Sequence, residues 1–193
     1  MISEVPRPPQ ATTLSGDEPL AGVGCTVRDF WAWSLSDLRS NTARSKLAEF
    51  LVSRALDATG FPHVEWDSCD VRTTDGIAVE VKAGAYLQTW EQRTLSAVSF
   101  GGLRARTWSP QERRYTPSST YNADVYVFAL MHASDHGSYA ALDVAQWSFW
   151  VLSQAHVAAT GQSSLGLNRV KALAGEPIPY GLLAAGIRAA ASA

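Results

Sequence analysis

The chain has 193 residues, 46% of them apolar and 18% charged, with 7 tryptophans. That length suits one domain able to bury a real core, and the composition excludes a disordered or fibrous protein. A formal net charge of −2 excludes coating of nucleic acid by bulk charge and leaves room only for a local basic patch.

Residues 1 to 24 are rich in Pro, Gly, Ser and Thr and read as a mobile or loosely docked tail ahead of a single domain over residues 25 to 193. The opening MISEVPRPPQATTLSGDEPL carries Pro and acidic residues where a signal peptide needs a basic start and an apolar run. No stretch approaches the roughly 20 apolar residues of a membrane helix. Cys25 and Cys69 stand far apart without a CxxC pair, which argues against a disulfide framework or structural zinc and suits a reduced setting. A soluble, cytoplasmic protein with no membrane partner is expected.

In NTARSKLAEFLVSRALDATG, Asn41 is a candidate cap, Ala43, Leu47, Phe50, Leu51 and Ala55 recur at helical spacing, and Gly60 sits where a C-terminal glycine would. Two extended runs, HVEWDSCDV and IAVEVK, flank RTTDG and predict a hairpin. A helix is predicted from near Thr89 through WEQRTLSAV. The polar, Arg-rich FGGLRARTWSPQERRYTPSSTYN predicts a long loop or irregular hairpin, and ADVYVFALMH a buried central strand. SYAALDVAQWSFWVLS gives a short segment and a further strand, with Asp143 near its start. The C-terminal stretch holds two short helical patterns around Pro177 and Pro179. This order predicts an α/β or α+β protein, a mixed sheet flanked by helices.

The hairpin raises the chemical question. Ile77, Val79 and Val81 share one face of their strand, and Glu80 and Lys82 share the other. With a two-residue loop, Asp75-Gly76, Asp70 faces Val81 on the apolar side. With a three-residue loop, Thr74-Asp75-Gly76 closed by a left-handed glycine, Thr73 pairs with Ile77 and Asp70 stands opposite Glu80. Both turns are good ones; the second is favoured because it keeps Val71 with Val81 and gathers Asp70, Glu80 and Lys82 on one face. Two carboxylates in contact across strands repel unless Lys82 or a divalent cation lies between them.

Asp70, nine intervening residues, then Glu80-Val81-Lys82, on a hairpin that follows a helix carrying Glu49, resembles the PD-(D/E)XK nucleases with the restriction-endonuclease-like fold, over roughly residues 41 to 130. Cys69 precedes Asp70 where the family signature names Pro. The resemblance implies that Asp70 and Glu80 bind Mg²⁺, with Mn²⁺ as substitute, that Lys82 is the catalytic lysine and that Glu49 adds an outer carboxylate. Gln88, six residues past Lys82, falls where some families place a further polar site residue. The implied activity is a Mg²⁺-dependent endonuclease that hydrolyses DNA by in-line attack of a metal-activated water, in restriction, phage defence or repair. The alternative is a catalytically inactive nuclease-like module that binds DNA or a protein; a homodimer is left open.

Each residue also has a plainer reading. Glu49, with Lys46 and Arg54 nearby, reads alone as a solvated helix face, and Glu80 with Lys82 as an exposed strand pair. Arg93, Arg104, Arg106, Arg113 and Arg114, set against Glu91 and Glu112, are the expected DNA phosphate contacts or else an ordinary solvated loop. Trp31, Trp33, Trp90, Trp108, Trp147 and Trp150 read as core or hydrophobic surface before base-stacking platforms. His132 and His136 have the spacing of a zinc helix, but HASDHG reads as a turn. Nucleophile-elbow, P-loop and dinucleotide motifs do not occur.

Overall fold

The computed structural model describes residues 11–60, 62, 67–109 and 113–193. Two short strands, β1 (Pro19–Leu20) and β2 (Cys25–Thr26), lead into α1 (Val27–Leu35), and α2 (Asn41–Ala55) follows. Then come β3 (Val71–Arg72), β4 (Ala78–Ala85), β5 (Ser99–Phe100), β6 (Trp108–Ser109), β7 (Arg114–Tyr115), β8 (Val125–Met131) and β9 (Trp147–Ser153). The chain closes with α3 (Gln154–Ala158), β10 (Leu165–Gly166), α4 (Leu167–Ala174) and α5 (Leu183–Ala191).

The central sheet has the order β3-β4-β8-β9. β4 and β8 run parallel, while β3 and β9 join antiparallel at either side. Every residue of β8 is buried, as its unbroken apolar run requires of a strand covered on both faces. Alternation then divides the core in two. Val79, Val81, Val125, Val127 and Phe149 pack with Ala48 and Val52 of α2 and with Leu183 and Ile187 of α5. Tyr126, Phe128, Leu130, Trp150 and Leu152 pack on the opposite face with Phe100, Leu103, Val157 of α3 and Val170 of α4. At about 1.5–3 kcal/mol for each large apolar side chain fully buried, these two clusters are the main source of stability. The protein is a mixed α/β fold, a mixed sheet flanked by helices. Among the described residues no helix is long and apolar enough to cross a membrane.

Several local expectations change. Ser40, and not Asn41, caps α2, its Oγ accepting from the Ala43 N–H at 3.2 Å. The helix ends before Gly60: Asp57 takes the left-handed position at φ 55, with Ala58 N–H donating to Ser53 O and Asp57 N–H to Arg54 O. Phe50 points outward, 54% exposed, and the buried stripe runs through Ala43, Ala48 and Val52. The helix expected from Thr89 does not form. Gln92 accepts from the Gln88 N–H at 2.7 Å and donates to Tyr86 O and Ser96 Oγ, so side-chain bonds take the backbone partners a helix would use. α1 and α3 lie in stretches for which no helix was expected. Residues 1–10 of the stretch read as a tail lie outside the described residues. Within its remainder, β1 pairs with β2 and the Gly16 carbonyl accepts from the Arg28 N–H of α1. Of the extended run HVEWDSCDV, residues 63–66 lie outside the described residues, and of the described ones only Val71 enters a strand. The Arg-rich segment is an irregular hairpin, with Trp108 opposite Tyr115 and an isolated bridge from Ala105 to Thr120.

Candidate active site

The turn between β3 and β4 sets the register. Thr73 N–H donates to Ile77 O at 3.1 Å, and Gly76, at φ 92, closes the loop of Thr74, Asp75 and Gly76. That backbone region costs any residue with a β-carbon, so glycine is required here. Val71 therefore stands opposite Val79, the three-residue register. Beyond Val71 the ladder is modified. Asp70 N–H donates to Val79 O at 3.1 Å, and Asp70 Oδ2 accepts from Val81 N–H at 2.8 Å. A carboxylate thus takes the place of a strand carbonyl, and its charge is held against the middle of β4.

Glu80 and Lys82 share the face of β4 that looks toward Tyr126 and Phe128 of β8. Lys82 Nζ lies 2.5 Å from Glu80 Oε1, and each side chain is only 19% exposed. Burial pushes the Glu80 carboxyl above its usual range, the nearby Asp70 charge adds to this, Lys82 opposes it, and Glu49 adds again. Asp70, Lys82 and Glu49 therefore all bear on Glu80. Glu49 lies on the packed side of α2, where it is 9% exposed and ion-paired with Lys46 at 2.9 Å. The solvated-face reading of Glu49 does not hold.

Gln88 is placed differently. It is buried beyond the end of β4, where Nε2 donates to Ala85 O at 3.1 Å and to Ser96 Oγ at 3.3 Å, while Oε1 accepts from Arg44 Nη2 at 3.5 Å. Among the described residues it makes no hydrogen bond to Asp70, Glu80 or Lys82. Arg93, Arg104, Arg106, Arg113 and Arg114 are all exposed. Arg104 donates to Ser119 O at 2.9 Å and lies over the Tyr121 ring, and Arg106 donates to Pro117 O at 3.0 Å. His132 bonds Ser148 Oγ through Nδ1 at 3.0 Å, in the wall of a cavity of about 370 Å³ that also includes Trp150, Lys171 and Glu176.

Two further residues belong to this neighbourhood, and no sequence motif singles out either. Tyr126 pairs with Glu80 in the β4–β8 register; burial above all pushes its hydroxyl up to about 12, and it donates to Leu103 O at 3.1 Å. Gly102 stands at φ 69, and a β-carbon on it would lie 3.4 Å from Lys82 Nζ. The Gly-Gly pair is visible in sequence as loop punctuation, but its nearness to Lys82 follows from the crossover between β4 and β8, which no local pattern encodes.

Among the described residues no group of three or more His, Cys, Asp and Glu side chains could hold a metal ion by itself. Mg²⁺ asks for less: one or two carboxylates, with waters and substrate oxygens completing its shell. Asp70 and Glu80 each commit one oxygen, to Val81 N–H and to Lys82, and the other oxygen of each, Asp70 Oδ1 and Glu80 Oε2, is a donor of the kind Mg²⁺ takes. The unfavourable burial of the Glu80 charge beside Asp70 is what a divalent cation would relieve. No protein-family model matches the chain, and no curated protein matches it.

Proposed function

We propose that this protein is a metal-dependent endonuclease of the PD-(D/E)XK type, with the restriction-endonuclease-like fold, that hydrolyses DNA phosphodiester bonds in restriction, phage defence or repair. The observation that carries the reading is the Glu80–Lys82 pair, each side chain only 19% exposed on one face of β4, with the Asp70 carboxylate bonded to the intervening Val81 N–H. A mere exposed strand pair would leave Glu80 in water, with no reason for two further carboxylates to raise its pKa.

Asp70 and Glu80 would hold Mg²⁺, or Mn²⁺ in its place, which when bound polarises the phosphate and acidifies water. Lys82 has an ammonium with three donors, of which Glu80 accepts one; the others can orient the attacking water and meet the negative charge that develops on the phosphate oxygens. Glu80 holds that ammonium in place. Glu49, within the field of Glu80, adds negative charge that favours a bound cation. The exposed arginines from Arg104 onward would meet the DNA backbone.

Incubation with supercoiled plasmid tests the reading. Cleavage that requires Mg²⁺ or Mn²⁺ and stops with EDTA is expected, together with a metal-induced rise in melting temperature that Asp70→Ala abolishes. Wild-type protein that leaves plasmid intact with both metals, or an equal metal-induced shift in Asp70→Ala, overturns it.

A further inference from the structure

Two arginines stand at the head of α2, and among the described residues neither has a carboxylate to pair with. Arg44 is 4% exposed, and burial pulls its guanidinium below its usual range. Its side chain folds back over the start of the helix, where Nη1 donates to Arg39 O at 2.7 Å and Nη2 donates to Asn41 Oδ1 and, at 3.5 Å, to Gln88 Oε1. All three acceptors are neutral. Arg39 is half-buried, with its guanidinium 4.4 Å from the centre of the Tyr139 ring. Tyr139 is neutral too, its hydroxyl donating to Leu38 O at 3.0 Å, and the charges of both arginines act on it. Asp37 spends Oδ1 on the Arg39 main-chain N–H at 3.1 Å and forms no ion pair with either guanidinium among the described residues. The Nε atoms of Arg39 and Arg44 are the buried side-chain polar atoms left without a partner among those residues. Two cations taken out of water at one place, with no anion between them, are costly unless a ligand supplies the missing charge.

The helix adds donors of its own. Ser40 satisfies the Ala43 N–H through Oγ and the Arg44 N–H through its carbonyl, while the first-turn N–H groups of Asn41 and Thr42 find no acceptor among the described residues. We propose that the head of α2 is a binding site for a phosphate group, with Arg39 and the first helix amides making the contact and Arg44 supplying charge from behind. A guanidinium fork and a helix N-terminus both suit a tetrahedral oxyanion. Arg44 is here a positioning residue as well, since it ties the Arg39 carbonyl to Asn41 and Gln88. The site is separate from the nuclease reading, which uses neither arginine.

The test is a set of thermal melts of metal-free protein in chloride and in inorganic phosphate at matched ionic strength. Phosphate at about ten times its Kd is expected to raise the melting temperature of wild type by about 3 °C or more over chloride. Arg39→Gln, which keeps a planar group over Tyr139, should lose that shift, and so should Arg44→Gln. If Arg44→Gln fails to fold, Arg39→Gln decides alone. Arg54→Ala, which removes an exposed arginine at the other end of the same helix, should keep the shift. Titration with a single-stranded oligodeoxynucleotide in EDTA identifies the source of the phosphate. Binding that needs Arg39 and is displaced by inorganic phosphate assigns a nucleic-acid backbone, and oligonucleotide binding indifferent to Arg39 beside a phosphate-induced shift assigns the free ion. A wild type that phosphate stabilises no more than chloride, an equal shift in Arg39→Gln, or a shift that Arg54→Ala also loses overturns the proposal, whether or not the protein cuts plasmid.

Discussion

Lys82 sits in a pairing that the proposed chemistry needs more than folding does. Its ammonium is only part-buried and pairs with Glu80 on a strand whose packing comes from the other face, through Val79 and Val81. Lys82→Ala should therefore keep a cooperative melt while plasmid cleavage falls by about 100-fold or more, the range for removal of a group acting on the transition state. Retained cutting would return Glu80 and Lys82 to the status of a strand pair. Glu80 gives a second expectation with a definite sign. Its folded pKa lies above the ordinary 4.5, so the native state holds its proton more tightly than the unfolded chain. The contribution to stability is then present below 4.5 and lost as pH rises through the folded value. Melts of the metal-free protein across that window should show Glu80→Gln gaining on wild type as pH rises and the difference closing at the acid end; a constant difference would mean that the charge is not strained. The shared face of Glu80 and Lys82 was legible in sequence from strand periodicity, whereas the place of Asp70 stayed open between two turn registers until the backbone of Gly76 decided it. The burial of Glu49 was not legible, since its helical neighbours Lys46 and Arg54 are what a solvated face also shows, and only the packing of α2 on β4 distinguishes the two.

The body of α2 was legible in sequence, but its ends were not. Ser40 and Asn41 are both good caps, and one residue of offset decides which hydroxyl or amide meets an amide two or three residues on. At the other end, Asp57 occupies a left-handed position that favours glycine, at a cost for an L-residue of about 1 kcal/mol. Asp57→Gly should raise the melting temperature by about 3 °C for a chain of this size, measurable by calorimetry. A fall would mean that the Asp57 side chain makes a compensating interaction. The segment after Thr89 shows why an apolar-polar pattern of helical spacing misleads: Gln88, Gln92 and Ser96 fall four apart, as on a helix face, yet their side chains bind main chain and each other in an irregular loop. By contrast β8 was legible outright, because seven consecutive buried residues leave no amphipathic alternative.

Across the whole molecule the charges nearly cancel, so any attraction for a polyanion must be local. Exchanging Arg104 and Arg106 together for Ala should weaken DNA binding on every sequence alike and reduce the slope of log affinity against log salt by about 2, one for each phosphate no longer neutralised. Titrations at several salt concentrations check this, and an unchanged slope would move the docking surface elsewhere. The class of fold was legible from the order of elements, while the position of Gly102 over Lys82 and of Tyr126 beside Glu80 was not, because both depend on strands brought together from distant parts of the chain. That arrangement bears on how the protein forms. The β3–β4 hairpin and the β8–β9 pair are antiparallel and can each assemble from a nearby stretch, but the parallel seam between β4 and β8 must wait until residues 86 to 124 have looped back. Closing such a loop is an entropic cost met before any pairing across the seam rewards it, which places the seam late in folding. Glu80 and Tyr126 face each other across that seam. The proposed site is thus assembled only as the last large step is completed, and a chain still emerging from synthesis carries Asp70, Glu80 and Lys82 without the β8 wall beside them.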